Sequence, residues 1–242
     1  MNKQGKITVK HFLNENLKPY NIAGENYYSV YILVTANRQN TKFKSIALNE
    51  YYNKSNFNDI LNSEEESDIL LIKNEVNTIQ IISELIIDTL GTFDTAFLSA
   101  YFNFSNEIYL FDPDIEQLTN NNIDINFYNS DKNKSGIKLD LILLEFVNNI
   151  LVDGVSIYDF YNYENQIKFK ELLEASNCKT DLNQTIRDIN YFLFLGTFSK
   201  FYYYLLGSKK NRVLTEKYKF LFENSNSVGF LADINILERY SL

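Results

Sequence analysis

Hydrophobic and polar side chains alternate along three segments of the first fifty residues, 6–13, 27–35 and 41–48. This alternation is the pattern of half-buried β-strands, because successive side chains point to opposite faces of a sheet. The short polar stretch 36–40 between the second and third segments is typical of a hairpin turn. The pattern therefore predicts three paired strands at the N-terminus.

The same period of two assigns side chains to faces. In the first segment Ile7, Val9 and Leu13 fall on one face, and Thr8, Lys10 and Phe12 fall on the other. In the second segment Tyr28, Val30, Ile32 and Val34 share a face. In the third, Lys42 and Lys44 project from one face, and we expect Phe43 to pack inward.

Beyond residue 60 the apolar positions recur every three or four residues, as they do on the buried side of a helix. The clearest series runs from Ile69 to Leu90, and Gly91 is typical of a helix end. Ser63 and Glu66 have the spacing of a capping box at its start. A second, shorter helix is predicted over 92–102, which would complete a helical hairpin.

The remainder of the chain is predicted to be mostly helical. Helices are expected near 114–120, 139–152, 164–176, 181–206, 214–223 and 228–239, with a strand at 123–128 and linkers at 103–107 and 129–136. The predicted fold class is α+β, with an N-terminal three-stranded antiparallel β-sheet followed by a mostly α-helical region. The expected domains are a β-sheet domain over 1–54, a helical hairpin over 55–104 and a mainly helical domain over 105–242.

The most apolar stretch is 189–207, and its length approaches that of a membrane span. Lys200 in its middle and three consecutive tyrosines disfavour lipid and favour a buried or interface helix, so no membrane partner is expected. A core stripe is predicted at Phe192, Leu195, Phe198, Tyr202 and Leu205. The side chains of Phe194, Phe201 and Tyr204 lie off that stripe. Since a helix that is apolar nearly all round is buried on more than one side, we expect those three at a contact with another chain.

Composition excludes several kinds of chemistry. The chain has 242 residues, of which 45% are hydrophobic, so it can bury a sizeable core. A single cysteine, Cys178, excludes an intramolecular disulfide and a cysteine-based zinc site. There is no glycine-rich phosphate loop and no G-x-S-x-G motif. The acidic side chains of Asp112, Asp114 and Glu116 are read as a helix start. We expect no cofactor and no metal.

Charge is distributed unevenly along the sequence. Residues 1–54 hold eight Lys or Arg and three acids, a net charge of +5, whereas the whole chain carries −8. Such asymmetry suggests different partners for the two parts. The basic part could meet nucleic acid or an acidic protein surface, and the candidate binding residues are Lys10, Arg38, Lys42 and Lys44.

The three predicted strands, with the sequences ITVKHFL (7–13), YSVYILVT (28–35) and NRQNTKFKS (37–45), carry a resemblance. This pattern resembles the N-terminal arm-binding domain of tyrosine recombinases, the phage-type integrases, from Bacteroidota and their phages. The resemblance implies a three-stranded sheet that carries basic residues toward DNA. It covers about a fifth of the chain, and the helical hairpin that follows is similar to the start of the family's core-binding region.

The catalytic residues of that family are missing. A tyrosine recombinase needs two arginines and a histidine or lysine around the scissile phosphate, together with a tyrosine nucleophile. The chain has four arginines, a single histidine (His11) in the first predicted strand, and no His-x-x-Arg. Tyr240, after Arg239, is interpreted as closing the last helix. The sequence therefore predicts a protein without enzymatic activity.

Two functions of different classes remain open. The Asn- and Tyr-rich composition resembles that of crAss-like phages, in which recombinase-type folds look to have been reused for tail rings. The first reading is a structural subunit of a phage virion that contacts copies of itself in a ring-like homo-oligomer and neighbouring virion proteins. The alternative is a non-catalytic DNA-binding accessory protein related to tyrosine recombinases.

Overall fold

The structure is a computed structural model that describes residues 6–108, 156–176 and 181–225. The chain divides into two compact units, the first comprising residues 1–102 and 161–164 and the second residues 103–160 and 165–242. The N-terminal sheet and the two helices that follow it lie in the first unit, and the third helix runs from the first unit into the second. The predicted elements at 114–120, 123–128, 139–152 and 228–239, the linker at 129–136, Asp112, Asp114 and Glu116, Cys178 and Tyr240 lie outside the described residues.

A five-stranded antiparallel sheet forms the N-terminal part, where the alternation predicted an antiparallel sheet of three strands. Its strands are β1 (Thr8–Leu13), β2 (Tyr20–Ile22), β3 (Glu25–Ala36), β4 (Gln39–Lys44) and β5 (Tyr51–Tyr52). The twelve-residue β3 is the central strand, to which the other four pair. Strands β1 and β4 flank its C-terminal half, while the short β2 and β5 pair with its beginning. Strands β1, β3 and β4 match the three predicted segments, and the sequence pattern missed the two short strands.

The inner face of this sheet is the core of the first unit. Every second residue of β3 is inaccessible to solvent, from Val30 through Ile32 and Val34 to Ala36. Phe43 of β4 also points inward, where its ring lies 4.4 Å from the ring of Phe102. The faces assigned to these strands from the alternation are confirmed.

Three helices follow the sheet: α1 (Lys54–Leu61), α2 (Glu66–Leu90) and α3 (Thr95–Glu107). Gly91 ends α2 in the left-handed region, with φ of 68°, as predicted. The predicted capping box is wrong, because Glu65 occupies the N-cap and makes no capping hydrogen bond with its side chain. The predicted linker at 103–107 is also wrong, because α3 continues through it.

The remaining described helices are α4 (Ile157–Phe160), α5 (Tyr163–Ala175), α6 (Leu182–Gly196), α7 (Phe198–Leu206), α8 (Arg212–Lys217) and α9 (Lys219–Ser225). The single helix predicted over 181–206 is two helices that meet at Thr197, whose backbone N–H still donates to the carbonyl of Leu193, 3.1 Å away. Its hydroxyl donates to the Phe194 carbonyl at 2.7 Å. Among the described ranges, no helix combines the length and hydrophobicity that a membrane span requires. The sheet followed by a mainly helical remainder is the predicted α+β class.

Candidate nucleic-acid interface

The side of the sheet opposite the core carries lysines and aromatic rings together. Strand register places them in two adjacent rows across β1, β3 and β4. One row is Lys10, Leu33 and Lys42, and the next is Phe12, Tyr31 and Lys44. We call these six residues the outer face.

The lysines of the outer face are exposed, and Leu33 is exposed between two of them. Since neighbouring strands lie about 4.8 Å apart, the backbones of Lys10 and Lys42 are separated by about 10 Å. Lys44 stands two residues farther along β4, about 6.6 Å from Lys42. Three ammonium groups are thus clustered on one surface, as the sequence predicted for Lys42 and Lys44.

A pair of exposed tyrosines extends this surface. Tyr20 of β2 and Tyr51 of β5 are 56% and 40% exposed, and their ring centroids lie 4.2 Å apart. The ammonium group of Lys44 lies 5.8 Å from the centroid of the Tyr51 ring, a cation–π distance. The hydrogen bond with Tyr51 raises the pKa of the Tyr20 hydroxyl above its ordinary value.

The nearby acids are few, and two are engaged elsewhere. Glu25, at the start of β3, is the sole carboxylate on the five strands, and it accepts a hydrogen bond from Asn53 at 2.8 Å. Glu15 pairs with Lys54 at 3.0 Å. With Glu50 beside Tyr51 as the third acid, the three lysines still outnumber the unpaired carboxylates near the outer face, which favours an anionic partner.

Arg38 occupies the tip of the β3–β4 hairpin, beyond the two rows. It follows Asn37 in a two-residue turn in which both residues have positive φ, 50° and 64°. This is the geometry of a type I′ turn, which favours glycine at the second position. An arginine there is held in a conformation that costs a residue with a side chain about 1–2 kcal/mol.

We therefore expect Arg38→Gly to raise the free energy of unfolding by about 0.5–1 kcal/mol. Relief of the strain in the left-handed backbone exceeds the entropic cost of ordering a glycine on folding. Chemical denaturation would measure it. Asn37→Gly is the control, with a smaller change expected because asparagine tolerates the left-handed region. An Arg38→Gly protein less stable than the parent would show that the arginine side chain makes a stabilising contact.

A buried carboxylate fixes the sheet to α2 from the other side. Glu75 is fully buried, and its Oε2 lies 2.7 Å from Nε2 of His11 and 2.5 Å from Oγ of Ser45. Its Oε1 accepts from the backbone N–H groups of Ile46 and Ala47, at 2.6 and 3.2 Å. Four groups from β1 and from the loop after β4 thus converge on one side chain of α2. These hydrogen bonds have a structural role, because they hold the edge strands β1 and β4 in register beneath the outer face.

In the second compact unit, which we call the helical unit, the residues expected to contact another chain are placed differently from that expectation. Phe194 and Phe201 are fully buried in their own chain. The expectation that they meet another chain is corrected, because rings of the same chain pack against them: Phe201 lies 5.1 Å from Phe104, and Phe194 lies 4.9 Å from Phe198. Tyr204 is half-buried, with its ring 5.5 Å from that of Phe104, and its contact with another chain stays a prediction.

Sequence reasoning found the lysines but missed the aromatic half of the surface. Phe12 was assigned to the correct face, whereas Tyr31, Tyr20 and Tyr51 were not singled out. Alternation places Tyr31 opposite the buried Ile32, so that signal was present. Nothing local to Tyr20 or Tyr51 indicates their pairing, because they meet only through β3.

Across the residues that the structure describes, no group of three or more His, Cys, Asp or Glu side chains could hold a metal ion. Comparison of the chain with protein-family models, with curated proteins and with solved structures finds no match.

Proposed function

We propose that this chain is a non-catalytic protein that binds nucleic acid through the outer face of its N-terminal sheet. The observation that carries the proposal is the exposure of Lys10, Lys42 and Lys44 on one face, interleaved with aromatic rings. Lysines supply contacts to phosphates, and each contact releases a condensed counterion. The aromatic rings next to the lysines offer apolar and stacking contacts, which a surface that binds by charge attraction alone does not require.

The position of His11 supports the absence of catalysis. It is the sole histidine of the chain, and its side chain is 3% exposed. It faces the buried carboxylate of Glu75 on the core side of the sheet, away from the outer face. A histidine held there has no access to a phosphodiester bound on the outer face. It therefore cannot act there as an acid, a base or a phosphate ligand.

Replacing Lys42 and Lys44 together by alanine tests the proposal. We expect weaker binding of a labelled oligonucleotide and a smaller dependence of the binding constant on salt, because two phosphate contacts are removed. The slope of log K against log salt should fall by about 1.4–1.8 in magnitude, depending on whether the ligand is single- or double-stranded. Fluorescence anisotropy across a series of salt concentrations measures both quantities.

The matched control is Lys209→Ala with Lys210→Ala, two exposed lysines of the helical unit. It removes the same net charge from a different surface. Equal losses in the two double variants would mean that the total charge of the chain governs binding, and the outer face would then have no special role. Wild-type protein that binds no nucleic acid at low salt would refute the proposed function.

A structural role in a phage particle is the second candidate, and exposed apolar side chains of the helical unit favour it. Tyr203, Val213 and Phe220 are 69–78% exposed, on three helices that contact one another. Large exposed apolar groups of this kind are candidates for contacts with other chains. A ring subunit would bury such groups against copies of itself or against neighbouring virion proteins. A large uniform oligomer in solution would favour this role over nucleic-acid binding by a monomer or dimer.

A further inference from the structure

We infer that the ligand of the outer face is single-stranded nucleic acid, whose unstacked bases pack on the tyrosine pair Tyr20 and Tyr51. This inference rests on the proposed function and narrows its ligand class. It follows from the accessibility of the rings, from the side chains at the centre of the surface and from the arrangement of charge around them.

The exposure of the two tyrosine side chains suits a base that is not already stacked. The tyrosine rings are about half exposed and are inclined to each other by 48°, so they are not stacked parallel. Inside a duplex the faces of the bases are covered by their neighbours, and a protein meets only their edges and the phosphates. Exposed rings gain their stacking energy from bases of a single strand.

The centre of the outer face is poorly equipped to read a duplex groove. Base edges in the major groove are recognised by side chains with paired donors and acceptors, chiefly Arg, Lys, Asn and Gln. The middle positions here are Leu33 and Tyr31 on β3, and Phe12 of β1 lies beside Tyr31 with ring centroids 6.2 Å apart. Two of these side chains have no polar atom, and the third has a single hydroxyl. This composition fits apolar contact with bases better than readout of their edges.

The lysines and the tyrosine rings follow one another along β3 in an order that suits a flexible strand of nucleic acid. Lys10 and Lys42 lie at one end of the surface and Tyr51 at the other, with Lys44 beside the Tyr51 ring. Successive rows on β3 are about 6.6 Å apart, since each residue rises about 3.3 Å. An unpaired strand running along β3 would place phosphates near the lysines while its bases reach the tyrosines.

The experiment uses Tyr51→Trp as a reporter, because the natural chain contains no tryptophan. A base stacked on this indole quenches its fluorescence. The full-length variant is titrated with an oligodeoxynucleotide of mixed sequence, with the RNA of the same sequence, and with the matched DNA duplex. Tyr203→Trp, at an exposed tyrosine of the helical unit, is the control for quenching without specific stacking.

Affinity is measured in parallel with Tyr51→Leu and Tyr20→Leu, which keep apolar bulk and remove the aromatic face. We expect each to weaken single-strand binding about tenfold while leaving its salt dependence unchanged, since stacking releases no counterion. Tyr203→Leu should leave the affinity unchanged. Circular dichroism of each variant verifies the fold, and the Trp reporter gives an independent readout should a leucine variant fail to fold.

The outcomes separate this inference from the proposed function. Tighter binding of either single strand than of the duplex, with quenching at position 51, supports the inference, and comparison of DNA with RNA identifies which strand is preferred. Duplex binding that equals or exceeds single-strand binding, without quenching, overturns the inference and leaves nucleic-acid binding standing. Failure of wild-type protein to bind any of the three ligands refutes the proposed function itself.

Discussion

Replacing Glu75 by alanine is expected to lower the free energy of unfolding of the sheet by about 3–5 kcal/mol, the cost of breaking a buried charged network by removing one partner. The loss leaves two partly buried backbone N–H groups, a buried serine hydroxyl and the His11 side chain without their acceptor. The measurement is chemical denaturation combined with hydrogen exchange of the amides of β1, β3 and β4, which localises the effect.

Two further substitutions sharpen this test. Glu75→Gln keeps an oxygen that can accept from Ile46 and Ala47, so its cost should be smaller than that of alanine. Glu84→Gln, on the same helix with its side chain beside Gln80, should change stability by less than about 0.5 kcal/mol. A Glu75→Ala protein as stable as the Glu84→Gln protein would contradict the role given to this carboxylate.

Phe201→Ala is expected to destabilise the helical unit by about 3–5 kcal/mol, the range for removing a large aromatic ring from a well-packed core. The ring has no exposed surface, and it lies 5.1 Å from the ring of Phe104 and 5.9 Å from that of Phe222. Truncation leaves a cavity that this aromatic cluster can fill only in part. Hydrogen exchange of the amides of α7, together with the denaturation midpoint, would measure the loss.

The control lies two residues away. Tyr203 is 69% exposed, so Tyr203→Ala should change stability by less than about 0.5 kcal/mol. The prediction for Phe201 distinguishes a core role from a role in assembly. A Phe201→Ala protein that unfolds at the same denaturant concentration as wild type but changes its mass in solution would restore the assembly interpretation.

Local sequence was sufficient for much of the sheet. The alternation in 6–13, 27–35 and 41–48 predicted three strands, and it predicted that Lys42 and Lys44 leave the sheet opposite Phe43. Alternation works here because one face of the sheet is buried, so a shift of one residue would expose the whole apolar set. The end of α2 at Gly91 could also be predicted, because a left-handed helix cap strongly favours glycine.

Local sequence failed to predict the structure where one hydrophobic pattern was consistent with two different arrangements. The apolar run 189–207 has helical periodicity throughout, and its one local signal of a break is Gly196, the last residue of α6. Burial of Phe201 by its own chain depends on rings supplied by α3 and α9, which lie outside this run. Apolar character on all sides of a helix shows that it is covered, but it does not identify what covers it.

The sequence by itself determined the strands, the faces of their side chains and the excess of positive charge in the first 54 residues. Tertiary structure alone decided which residues meet. Strand pairing brings Lys10 into one row with Lys42, and β3 brings Tyr20 to Tyr51. Folding likewise sets His11 against Glu75, 64 residues away. The physical reason is that periodicity records which side of an element is buried, whereas partners distant in sequence are chosen by register and packing.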